Sequence, residues 1–249
     1  LKNFWLNEGH SFGITAAGGA GWQLAEWIVD GEPTVDMMGV DPRRFGPYAT
    51  RGYLKEKNEE AYANVFTTHY PDEERSAARP LKTAPCYDRM KALGAVFGSV
   101  YGWERPNWFM PSADYSLSVE ELNQEDPAKV LMNKNHATAL EDGRIVEKNS
   151  FRRSNYFEHV GNECKHVNDK VGLLDMSAFA KCIVKGPGAE EWLEYIFANK
   201  MPKAIGRISL VHMLSLNGGV RAEFTVYKTG PQSYYLVSAG AFETHDHDY

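Results

Sequence analysis

Gly18, Gly19 and Gly21 crowd the middle of His10–Gly31, HSFGITAAGGAGWQLAEWIVDG, and residues without side chains let backbone amides meet a ligand directly. The stretch reads as a strand end, a glycine-dense turn and a helix opening at Gly21 or Trp22. Such a turn aims unpaired N–H groups and the positive end of a helix at an anionic or electron-rich group, as nucleotide cofactors are commonly held. Tight packing of a helix on a sheet uses the same spacing. No full GxGxxG with an acidic residue about twenty positions on is present, so both readings stand.

Two further places carry chemistry-bearing residues. Trp103-Glu104-Arg105-Pro106 with Trp108-Phe109 sets two indoles around an adjacent acid–base pair, which suits either a pocket for a small charged or planar substrate or the edge of an aromatic core. Glu223 follows the Gly218-Gly219 turn and sits between Ala222 and Phe224. In an alternating strand it is either a solvent-side carboxylate or an inward one, and an inward one must be paired or face a ligand. Asp175 and Ser177 read as caps of a local turn. No nucleophile–base pair, metal motif or phosphate-binding loop is visible, and His245-Asp246-His247 reads as surface.

The elements that must position these residues show two textures. A helix is expected over 22–30, stopped by Gly31 and Pro33, then loop over Asp36–Tyr48 and a second helix over 51–66. Pro85–Leu93 reads as a helical turn closed by Gly94, and Ala95–Tyr101 as a strand. Residues 110–150 are charged and lack apolar periodicity, the mark of a surface excursion. From Asn155 an amphipathic helix runs to Gly172. A strand over Phe179–Lys185, a Gly-Pro-Gly turn and a helix over Ala189–Asn199 burying Trp192, Leu193, Ile196 and Phe197 follow. Strands over Ile208–Leu216, Ala222–Lys228 and Tyr234–Ala239 finish a meander, with Asn217-Gly218-Gly219 as a hairpin signal.

The 249 residues suffice for one large or two small domains, and a formal charge of −6 with no basic run argues against a nucleic-acid partner. No apolar run is long enough to span a membrane. Three scattered cysteines make neither a disulfide framework nor a metal site, which points to a reducing compartment, cytoplasm or mitochondrial matrix.

Taken in order, three segments resemble the dimethylglycine and sarcosine dehydrogenase family of fused flavin–folate enzymes. SFGITAAGGAGWQLAEWIVDGEPTVD is similar to the end of a D-amino-acid-oxidase-like FAD-binding domain. ARPLKTAPCYDRMKALGAVFGSVYGWERPNWF resembles the short middle domain, and VGLLDMSAFAKCIVKGPGAEEWL with IGRISLVHMLSLNGGVRAEFTVY resembles the start of a folate-binding domain of the glycine cleavage T-protein type. The resemblance implies an α+β chain: residues 1–50 ending the FAD domain, 51–150 connecting, and 151–249 opening the folate domain with antiparallel strands. It implies FAD and tetrahydrofolate as cofactors, a small methylated amine as substrate, and an electron-transfer flavoprotein or oxygen as acceptor. Gly13, Ile14, Gly18, Gly19 and Gly21 would approach the flavin, and Phe179 the pteridine. Glu223 falls where the family has an acidic residue, commonly Asp, beside the folate amine, as the catalytic base. The family pattern also implies a longer polypeptide or complex that supplies the rest of both sites. A T-protein-like aminomethyltransferase without redox activity and a non-catalytic folate-binding subunit are the alternatives.

Overall fold

The computed structural model describes residues 3–123 and 137–247; part of the stretch 110–150, residues 124–136, lies outside them. In chain order the elements are α1 (Ile14–Asp30), α2 (Arg51–Asn64), α3 (Tyr87–Ala92), β1 (Ala95–Val100), β2 (Trp103–Phe109), α4 (Val119–Asn123), β3 (Ala137–Ala139) and β4 (Ile145–Lys148). They continue with α5 (Phe157–Asp169), β5 (Ala180–Lys185), α6 (Ala189–Ile196), β6 (Ile208–Leu214), β7 (Val220–Gly230), β8 (Ser233–Ser238) and α7 (Glu243–His247). Two units form, one of residues 1–46 and 179–249, the other of residues 47–178. All strand pairs are antiparallel, in an α+β architecture.

In the first unit, β5 to β8 make a four-stranded sheet in the order β5-β8-β7-β6. Alternation along β7 buries Ala222, Phe224 and Val226 on one face, where Val211, Met213, Tyr234 and Leu236 join them. α6 covers that face with Leu193, and Phe197 meets the Phe224 ring edge-on at 5.1 Å. Trp192, expected inside, is half exposed, because it falls on the far side of this short helix. The helix stops at Ile196 rather than Asn199, since Phe197 turns extended and bridges to Met213.

The glycine-dense turn is corrected. Gly18, Gly19 and Gly21 are interior residues of α1, which opens at Ile14, and residues 3–13 form no strand. Ala16, Ala17, Ala20, Gln23, Leu24 and Ala25 carry helical propensity through them, against about 1 kcal/mol per glycine. The breaks lie at the ends. Gly13 (φ +59°) sets the entry, and Gly31 (φ +88°) closes the last turn with its N–H on the Trp27 carbonyl at 3.1 Å.

In the second unit, β1 and β2 form a hairpin whose two turn residues, Tyr101 (φ +51°) and Gly102 (φ +83°), both lie in the left-handed region that a tight hairpin favours. Val96, Trp108 and Val146 form its core with α5 alongside, where the Trp108 ring stacks on Tyr156 at 5.9 Å and His159 at 5.5 Å. The stretch 110–150 is therefore not all surface. β4 carries Val146, which is fully buried, and Leu117 and Glu147 are buried too. With only four residues, β4 is too short for its alternation to stand out in the sequence. α2 and α5 match their sequence-based spans closely, and Thr50 caps α2 through the Tyr53 N–H at 3.3 Å.

Candidate functional site

The hairpin of β6 and β7 brings His212 directly opposite Glu223. Glu223 points away from the core, with its side chain 57% exposed, so of the two orientations the solvent-side one is found. It is paired nonetheless: His212 Nε2 lies 3.1 Å from Glu223 Oε2. His212 is itself held by the chain leaving α6. Ala198 N–H donates to the His212 carbonyl at 2.9 Å, and Asn199 Oδ1 accepts the His212 N–H at 3.0 Å.

The sheet order places Glu223 on β7, two strands from β5, the strand that follows Phe179. Lys181 pairs with Val237, Val237 with Thr225, and His212 with Glu223. Phe179 stands one residue before β5 and Ala239 one residue after β8, both outside the paired strands. Of the other proposed site residues, Gly13 precedes α1 as its cap, and Ile14, Gly18, Gly19 and Gly21 lie within it. Sequence reasoning missed His212 and Asn199. The hairpin turn signalled that β6 faces β7, but a register shift between Met213 and Leu214 defeats an even count of partners from it.

In the Trp103–Phe109 cluster the acid and one of the indoles are taken up in the core. Glu104 is buried and bonds Arg79, at 2.7 and 2.9 Å, rather than its neighbour Arg105. Trp108 is buried with its Nε1–H on Glu147 at 2.7 Å, and Thr138 Oγ1 donates to the same carboxylate at 2.7 Å. These are core anchors. Asp175 accepts the Ser177 N–H at 2.9 Å, the expected cap.

A cleft of about 340 Å³ in the first unit is lined by Trp27, Thr34, Asp41, Arg43, Arg221 and His245, among others. Its charges are matched: Arg43 grips Asp41 at 2.6 Å, and Arg221 pairs with Glu32. Burial raises the Asp41 pKa, but the hydrogen bonds from Arg43 outweigh it and hold the carboxyl below its ordinary value. Among the described residues no group of three metal-ligating side chains occurs, and no helix is long and apolar enough to cross a membrane. All three cysteines are free thiols.

Comparison with known proteins accounts for the whole chain. Residues 86–249 match the GCVT N-terminal domain, and residues 30–84 match the FAD dependent oxidoreductase central domain. Mitochondrial dimethylglycine dehydrogenase of Mus musculus is 35% identical over 248 residues, 99% of this chain and 25% of that protein. Mitochondrial sarcosine dehydrogenase of Homo sapiens is 27% identical over 269 residues, 99% of this chain and 28% of that one. The mitochondrial pyruvate dehydrogenase phosphatase regulatory subunit of Mus musculus is 29% identical over 239 residues, 95% of this chain and 24% of its own length. The chain thus spans about a quarter of the length of the curated relatives it matches.

Proposed function

From a chain that belongs to the dimethylglycine and sarcosine dehydrogenase family, with a GCVT N-terminal domain following an FAD dependent oxidoreductase central domain, we propose that it is part of an oxidative N-demethylase. The substrate in this reading is dimethylglycine, sarcosine or a similar methylated amine, and the one-carbon unit passes to tetrahydrofolate. The placement is the mitochondrial matrix in a eukaryote, as the names of the relatives suggest, or the cytoplasm in a bacterium. The observation that carries the reading is the outward carboxylate on the GCVT-type sheet, Glu223, paired with His212 across the hairpin.

FAD, when bound, supplies the acceptor for the hydride taken from the methyl carbon of the amine. The backbone at the start of α1 fits a neighbour of that kind. Gly13 holds a left-handed φ, no side chain caps the first turn and no acidic residue stands in it, so the amides of Ile14 and Thr15 face outward. A Cβ on Gly18 or Gly19 would meet nothing within 4 Å, so these two offer a bare helix face rather than a phosphate loop. On the folate side, Glu223 takes the proton that the folate amine gives up as its nitrogen bonds the iminium carbon. Phe179 would lie against the pteridine, and its apolar face excludes water there.

The test is flavin bleaching in the full-length protein that carries this chain, mixed anaerobically with dimethylglycine, sarcosine and other methylated amines. Bleaching by one of them, with methylenetetrahydrofolate formed when tetrahydrofolate is present, is the expected result. No bleaching by any of them would sink the reading. A non-catalytic role would then stand, favoured by the 29% identity with a regulatory subunit.

A further inference from the structure

We propose that His212 is the positioning residue of Glu223, holding the carboxylate in place; this rests on the reading of Glu223 as the folate-side base. The argument starts from an amide. The His212 backbone N–H donates to Asn199 Oδ1 at 3.0 Å, and a backbone N–H can only donate, so the oxygen of that amide faces the strand. The same oxygen lies 3.4 Å from His212 Nδ1, so Asn199 borders the ring on the side away from Glu223.

Nε2 then faces Glu223 Oε2 at 3.1 Å. A ring protonated at Nδ1 alone would set a lone pair against a carboxylate, two acceptors in contact. Nε2 therefore carries a hydrogen and donates it to Oε2, which ties the carboxylate to the ring. The other groups around it do not compete for this role. Leu210 and Leu214 flank His212 on β6, Asn199 is uncharged, and Arg221, two residues back along β7, is paired with Glu32.

The consequence for chemistry is positional first. Glu has one methylene more than Asp, about an ångström of extra reach and one more rotatable bond, and a base misplaced by that much loses rate. The contact with Nε2 fixes the longer arm. Glu223 accepts the proton of the folate nitrogen as that nitrogen bonds the iminium carbon and the C=N electron pair moves onto the amine nitrogen. It returns the proton to the amine nitrogen as the bond from that nitrogen to the carbon breaks. The second folate nitrogen then closes the ring, and its proton goes to solvent.

The experiment uses the full-length protein with FAD and tetrahydrofolate, and methyl-labelled dimethylglycine as substrate. It reads the ratio of methylenetetrahydrofolate to formaldehyde, since an untrapped iminium hydrolyses, across pH. For Glu223→Gln the folate product falls about a hundredfold. For His212→Ala it falls about tenfold, the acid limb of the pH profile moves to higher pH, and added imidazole restores part of the loss. If Glu223→Gln leaves the ratio unchanged, the base reading fails and this proposal with it. If Glu223→Gln loses the product while His212→Ala changes neither ratio nor acid limb, this proposal alone fails. A loss in His212→Ala with an unmoved acid limb and no response to imidazole means a structural role only, and also overturns it.

Discussion

Glu104 and Arg79 show how a residue's partner, rather than its neighbour in sequence, decides its job. The carboxylate is 3% exposed and takes two hydrogen bonds from one guanidinium, which also reaches the Phe97 carbonyl at 2.8 Å. The pair holds Arg79 above its ordinary pKa, chiefly through the hydrogen bonds it donates to Glu104. Removing one member leaves a charge stranded away from water, whereas removing both does not. Glu104→Gln should lower stability by about 3 kcal/mol, while Arg79→Met with Glu104→Leu should recover most of that loss. Urea unfolding of the three proteins checks it, and equal losses in the single and double variants would contradict the pairing. The sequence showed the acid, the two indoles and their closeness. It could not show that the base lies 25 positions upstream, because only the fold brings Arg79 to β2. Glu223 differs in kind: its acidic type and its turn were legible, and its orientation was not.

At the scale of elements, legibility followed periodicity. α2, α5, β1 and the β6–β7 hairpin stood out because their apolar spacing or turn residues are strong. The partner of Glu223 was hidden by a single irregularity. Counting evenly back from the turn would set His212 opposite Ala222, but the ladder shifts between Met213 and Leu214, and that bulge moves Glu223 into place. α1 was misread because three glycines outweighed, on the page, the alanines around them. Its helical state has a direct consequence. Gly18→Ala and Gly19→Ala each add a Cβ that meets nothing within 4 Å, in a helix interior where glycine is unfavourable. Each should stabilise the helix by about 0.5–1 kcal/mol. Gly13→Ala, at φ +59°, should destabilise it by about 1 kcal/mol. Thermal unfolding and amide exchange across Ile14–Asp30 separate the cases. Destabilisation by Gly18→Ala would show that a turn, not a helix, stands there.

For the molecule as a whole, the charge balance makes stability depend on pH from the acid side. In the first unit Glu190 collects hydrogen bonds from Lys203 at 2.7 Å and Lys228 at 2.6 Å, and also from the Tyr234 hydroxyl. These, Lys203 foremost, hold its carboxyl down to about 2. Asp41 in the same unit is depressed too, as is Glu60 in the other unit. Burial raises Glu60, but the Ala77 and Ser76 N–H groups, both at 2.8 Å, and Lys57 more than offset that. A carboxyl whose folded pKa lies below its unfolded value binds fewer protons folded than unfolded. Its contribution is complete above the unfolded pKa, near 4.5 for Glu190, and fades as pH falls toward about 2. Stability of both units should therefore be level at neutral pH on this account and decline through that acid window, with unfolding taking up protons. Glu190→Gln removes the largest single part. It should be less stable than the parent at pH 7, should take up about one proton fewer on unfolding near pH 3, and should converge with the parent near pH 2. Unfolding midpoints measured from pH 2 to 7 test this. A variant whose deficit is as large at pH 2 as at pH 7 would show that Glu190 acts through packing and not through its charge.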